Sequence, residues 1–165
     1  MILILMGVSG SGKSTVAGVL ASLTGWQFAE GDAYHSEANL VKLSAGIPLT
    51  DEDRMPWLVR LQGVLRQWEQ NGQSGILTCS ALKQQYRDVL CDGLTAEGYH
   101  FVLLEGSREV FEKRLGKRLG HFMHPALLAS QLATLELPQD ALRVSVEQTP
   151  LQIAQEILNG VAVEI

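Results

Sequence analysis

The run Gly7-Val8-Ser9-Gly10-Ser11-Gly12-Lys13-Ser14, followed by Thr15, has the residue types and spacing of a loop that holds phosphate. Glycines let a backbone turn tightly enough for successive N–H groups to converge on one anion. A helix that starts where the loop ends adds the positive end of its dipole. A lysine at position 13 then reaches the β- and γ-phosphates of a nucleotide, and the Ser14 hydroxyl is placed to hold Mg²⁺. The pattern carries this meaning only between a strand and a helix, and both are present. Ile2–Met6 is a continuous apolar run, and Val16, Val19, Leu20 and Leu23 fall on one face of a helix starting near Lys13.

Such a loop specifies nucleotide binding before it specifies a reaction. No N-K-x-D tetrapeptide, the guanine-reading segment of GTPases, occurs in the chain. The segment Leu77-Thr78-Cys79-Ser80-Ala81-Leu82-Lys83 also lacks the carboxylate that follows an apolar strand in motor and transporter ATPases. A small ATP-dependent kinase remains.

The residues that could receive the phosphate follow from position. Asp32 comes after a strand at Gln27–Glu30, on the carboxyl edge where doubly wound sheets bind ligands. A carboxylate there can take the proton of a substrate hydroxyl and orient Mg²⁺ through water; the alternative is a loop Asp in an Asx-turn after Gly31. His35 can donate to a polyol hydroxyl, or act as a surface or capping residue. Arg54 can clamp a carboxylate with two parallel hydrogen bonds, or pair with Asp51 one helical turn away. Lys83 and Arg87 have the spacing of one helix face near the phosphate-loop edge, with a solvated basic face as the alternative.

Arg114 and Arg118 share the same spacing. On a mobile lid they would close over the ATP phosphates; otherwise they form an exposed basic helix paired with Glu109 or Glu112. His121 and His124 sit at one-face spacing but lack a third zinc ligand.

These residues need a frame. Apolar runs alternating with amphipathic stretches predict an α/β fold of three layers, α/β/α, around a five-stranded parallel sheet. The strands are expected at Ile2–Met6, Gln27–Glu30, Gly75–Cys79, His100–Leu104 and Arg143–Val146. Trp57, Leu61, Val64, Leu65 and Trp68 mark a helix over about 51–71, capped by Thr50 and opened by three acidic residues. The last helix has Thr149 as cap, Pro150 in its first turn and Gln152 closing a capping box, with Leu151, Ala154, Leu158 and Val161 as its buried stripe. The chain reads as one domain over residues 1–165. Within it, about 32–73 forms a helical substrate-binding insertion and about 114–139 a lid.

The totals narrow the partners. The chain has 165 residues, 13 basic and 18 acidic, for a formal charge of −5. That balance disfavours nucleic acid, whose counterions only a cationic surface displaces. The two cysteines are too few for a disulfide framework, and Cys79 in its apolar run reads as a small buried hydrophobe. The opening apolar run stops at Gly7, far short of the ~20 residues that span a bilayer, so no membrane partner and a cytoplasmic location are expected.

Together the residues resemble the bacterial gluconokinases of the phosphate-loop kinase superfamily, nearly end to end. The likeness runs through Leu5–Ser14, Gly31-Asp32, His35, Asn39, Gly46-Ile47-Pro48-Leu49, and Asp51, Asp53, Arg54, Pro56 and Trp57. It continues through Cys79-Ser80-Ala81-Leu82-Lys83, Tyr86-Arg87 and Gly120-His121-Phe122. The resemblance implies phosphorylation of D-gluconate at its 6-hydroxyl by ATP with Mg²⁺, and a homodimer. It implies Asp32 as base, Arg54, Lys83 and Arg87 as carboxylate and transition-state contacts, and Arg118 as the lid arginine. It also places part of the adenine site around Gln148.

Overall fold

The computed structural model describes residues 1–117 and 126–162. Its strands are β1 (Ile2–Met6), β2 (Gln27–Glu30), β3 (Gly75–Thr78), β4 (Tyr99–Glu105) and β5 (Leu142–Ser145). They form one sheet in the order β2-β3-β1-β4-β5, and every neighbouring pair is parallel. Three expected strand spans shift by a residue at one or both ends; the first two coincide.

The helices are α1 (Lys13–Thr24), α2 (Glu37–Ser44), α3 (Asp51–Gln70), α4 (Gln84–Cys91), α5 (Arg108–Lys117), α6 (Leu127–Thr134) and α7 (Pro150–Gly160). All residues of β1 and β3 are buried, which requires cover on both faces of the sheet. One layer is α1 packed beside α7; α3 packed beside α4 supplies another. The edge strand β2 exposes Gln27 and Phe28, which explains its weak apolar signal.

Local chemistry sets the helix starts. Thr50 accepts from Asp53 N–H while the Asp53 carboxylate accepts from Thr50 N–H, closing a capping box at α3. Thr149 and Gln152 do the same at α7. Of the expected stripe of α7, Ala154, Leu158 and Val161 are buried, Ile153 and Ile157 join them, and Leu151 is instead 47% exposed. Leu151 lies in the first turn, ahead of the point where α7 meets the sheet.

The β2 exit is tightly constrained. Gly31 N–H donates to Thr78 Oγ1 at 3.2 Å, and Gly31 C=O accepts from Trp57 Nε1 at 2.8 Å. A Cβ at Gly31 would stand 2.1 Å from the Thr78 carbonyl oxygen. Gly31→Ala must therefore push β2 away from β3, and urea denaturation should show a loss of about 1–3 kcal/mol. A variant within ~0.5 kcal/mol of wild type would show that this approach is not constrained.

Candidate active site

The phosphate loop leaves β1 at the centre of the sheet, where strand order reverses. Gly10 and Gly12 adopt positive φ, 83° and 88°, a region that penalises any side chain. Gly12 is the N-cap of α1, and no side chain caps the helix there. Amides that elsewhere would be satisfied by Ser or Asp thus remain for an anion. Lys13 Nζ lies back on the loop, donating to Gly7 O at 2.8 Å and Val8 O at 3.1 Å. At Gly10 a Cβ would meet Phe111 O at 2.9 Å, so α5 braces the loop from outside.

Ser14, in the first turn of α1, donates a short hydrogen bond to Glu30 Oε1, which also accepts from Thr78 Oγ1 at 3.2 Å. Parallel pairing puts Glu30 opposite Thr78, which delivers this carboxylate to the loop. Glu30 was missed from sequence, where it reads as the end of a weak strand. The carboxylate lacking after β3 arrives from the neighbouring strand instead. A hydroxyl and a carboxylate are the hard oxygen donors that suit Mg²⁺.

Lys13, Ser14, Glu30, Asp32, His35 and Arg54 line one cleft, with Trp57 and Leu82 among its walls. Asp32 sits in a single 3₁₀ turn, Gly31–Tyr34, directly after β2. His35 is stacked on Trp57, ring centroids 4.1 Å apart, and its side chain is only 4% exposed. Asn39 Nδ2 lies 3.4 Å from His35 Nδ1, and His35 Nε2 faces Asp32 Oδ1 at 3.9 Å. Burial first, and then the positive charges of Arg54 and Arg60, lower the His35 pKa to about 4. His35 is therefore neutral near pH 7 and able to hydrogen-bond a hydroxyl without adding charge.

Arg54 does not pair with Asp51. Its Nη1 donates to Tyr86 OH at 3.0 Å, and Asp51 instead accepts from Tyr86 OH and from Lys83 Nζ, the latter at 3.0 Å. The hydrogen bond from Tyr86, then that from Lys83, holds the Asp51 pKa at about 2. Lys42 and the Thr50 backbone do the same for Asp53, which ties α2 to the start of α3.

The shared face expected of Lys83 and Arg87 does not form. Lys83 is the extended N-cap of α4, with φ −108° and ψ 150°, so helical spacing does not apply between them. Arg87 is buried, donating to Ala81 O at 2.7 Å, Glu136 O at 2.9 Å and Gln84 Oε1 at 3.2 Å. It lies outside the cleft and braces the Ser80–Leu82 turn, where Ala81 takes the strained φ of 46°.

Arg114 belongs to α5, whose Phe111 and Leu115 are core residues, rather than to a separate arm. Its Nη2 donates to Val146 O at 2.6 Å and its Nη1 to Ser11 O at 3.4 Å. Arg114, Gln148 and Thr15 line a second opening with Gly10, Ser11 and Gly12. Arg118, His121 and His124 lie outside the described residues. Gln131 of α6 was also missed from sequence. It is buried at the cleft, and its Oε1 accepts from Ser9 N–H at 2.6 Å.

No protein-family model matches the chain. A gluconokinase from Gluconobacter oxydans is 49% identical over 160 residues, covering 94% of this chain and 88% of that protein. The crystal structure of a gluconokinase from Sinorhizobium meliloti superposes with a TM-score of 0.86 at 44% identity, covering 97% of this chain and 90% of that one. An unliganded sugar kinase from a Janibacter species superposes with a TM-score of 0.89 at 46% identity, covering 98% and 94%.

The His35 geometry carries a pH signature. Because its folded pKa lies below the ordinary value of 6.5, the unfolded chain binds more protons in between. Stability contributed by neutral His35 is complete above about pH 6.5 and is lost as the pH falls towards 4. Urea midpoints measured across that range should fall more steeply for the wild type than for His35→Asn. Parallel slopes would show that His35 is not held neutral.

Proposed function

This chain belongs to the gluconokinase family, and from that premise we propose how its cleft transfers the terminal phosphoryl group of ATP to the 6-hydroxyl of D-gluconate. The observation that carries the proposal is one cleft holding a phosphate loop at one end and Asp32, His35 and Arg54 at the other. The loop amides from Gly10 to Thr15 and the Lys13 ammonium hold the phosphates, while the Ser9 N–H stays on Gln131. The second opening takes the adenosine part, with Gln148 beside the base and Arg114 on the phosphate side. Ser14, with Glu30 and Asp32 beside it, would hold Mg²⁺. Bound there, Mg²⁺ supplies positive charge to the phosphate oxygens.

The acid lies with its carboxylate towards Arg54 and Lys83 and its 6-hydroxyl at Asp32. His35, neutral, donates to a hydroxyl of the chain between. Asp32 takes the 6-hydroxyl proton as that oxygen bonds to the γ-phosphorus and the bond to the β,γ-bridging oxygen breaks, leaving ADP. Most of the acceleration comes from alignment and fixed charge. The expected lid bearing Arg118 begins beyond the α5 core residue Leu115 rather than at Arg114, and runs to about 139. Leu127 supports this by packing with Leu43 and Leu49 of the 32–73 insertion, which closes an apolar clasp over the cleft. Family resemblance supports a homodimer working in the cytoplasm. No helix among the described residues is long and apolar enough to cross a membrane.

A coupled ADP-release assay across gluconate, idonate, shikimate and adenylylsulfate tests the reading; turnover should be greatest with gluconate. Preference for another acceptor would overturn the substrate assignment. Lys13→Ala and Asp32→Asn should each lower kcat at least ~100-fold. Near-normal turnover in Asp32→Asn would remove it as base. Arg54→Ala should raise KM for the acid, and an unchanged value would move the carboxylate site elsewhere.

A further inference from the structure

Arg54, on the wall of the cleft, belongs to a group of four side chains from two elements. Asp51 and Arg54 come from the first turns of α3, Lys83 caps α4, and Tyr86 lies in its first turn. The direction of every bond among them is fixed by chemistry. A guanidinium has only donors and an ionised carboxylate only acceptors, so Tyr86 OH must accept from Arg54 Nη1 and donate to Asp51. Lys83 Nζ donates to the same Asp51 oxygen, Oδ1. Arg54 and Lys83 also stand over the Tyr86 ring, 5.4 Å and 5.7 Å from its centroid. Tyr86 is 1% exposed, so its ring is fixed by packing, and its hydroxyl is the atom that links Arg54 to Asp51.

This arrangement solves a problem of charge. Two bare cations this close would repel each other, and an unrestrained arginine would sample many rotamers. Asp51 neutralises one positive charge, and the phenol passes that anchoring to Arg54 without placing a carboxylate against it. Arg54 keeps its remaining N–H donors in a defined direction at the cleft wall, with one net positive charge left in the quartet. That charge matches a single carboxylate.

We propose that Tyr86 is a positioning residue for substrate recognition, its hydroxyl aiming Arg54 at the carboxylate of the sugar acid. This rests on the reading of Arg54 as the carboxylate contact, and the test separates the two. Tyr86→Phe keeps the buried ring and removes only the relay oxygen. KM for gluconate should rise about tenfold, the scale of one hydrogen bond to a charged group. KM for ATP and kcat should stay within about twofold. In an Arg54→Ala background the same change should have almost no further effect, because the residue it aims is gone.

If Arg54→Ala raises KM for gluconate and Tyr86→Phe does not, the positioning role is overturned while the carboxylate reading stands. An effect of Tyr86→Phe that persists in the Arg54→Ala background, or that falls equally on ATP, would assign Tyr86 a general structural role and overturn the inference. If Arg54→Ala leaves KM for gluconate unchanged, the carboxylate reading fails and takes this inference with it.

Discussion

The structure depends on an uncapped helix start. At α1 the N-cap position is Gly12 in the left-handed region, where a Ser or Asp side chain would otherwise satisfy the first amides. The proposed anion site is made of those amides and the Lys13 ammonium, and backbone is only as well placed as the elements that hold it. β1 is buried along its length between β3 and β4, and α5 packs on Gly10 from outside. Loop, sheet and outer helix thus form one rigid cradle.

From that cradle the second half of the cleft follows. Parallel pairing of β2 with β3 puts Glu30 on Ser14 and leads straight into the turn bearing Asp32. Trp57 of α3 holds that turn by its carbonyl and stacks on His35. A chain of net charge −5 can thereby offer the proposed anion site, because Lys13 and Arg54 face one cleft while Asp51 and Asp53 beside it are already engaged. Asp51 and Asp53, both with pKa near 2, are tied to Lys83 and Tyr86 or to Lys42 rather than facing the substrate.

Much of this was legible in the sequence because it is local. The phosphate loop, the Thr50 and Thr149 caps and the strand positions depend on neighbours within a few residues. Strand order is not local, so Glu30 gave no signal: its meaning comes from lying opposite Thr78. Gln131 was hidden for the same reason, its partner Ser9 being far away in the chain. Arg87 misled because the spacing rule assumes that both residues are helical, and Lys83 is a cap in extended conformation. Leu151 misled because an amphipathic stripe begins where the helix meets the sheet, not where the helix itself begins.

The most direct measurement is a crystal structure with a non-hydrolysable ATP analogue, Mg²⁺ and D-gluconate. The expected density has the β- and γ-phosphates enclosed by the amides from Gly10 to Thr15, with Lys13 Nζ moved off the Gly7 and Val8 carbonyls onto them. The gluconate 6-oxygen should face Asp32, with its carboxylate on Arg54. Phosphates seated away from the start of α1, or the acid bound with its carboxylate towards Asp32, would contradict it.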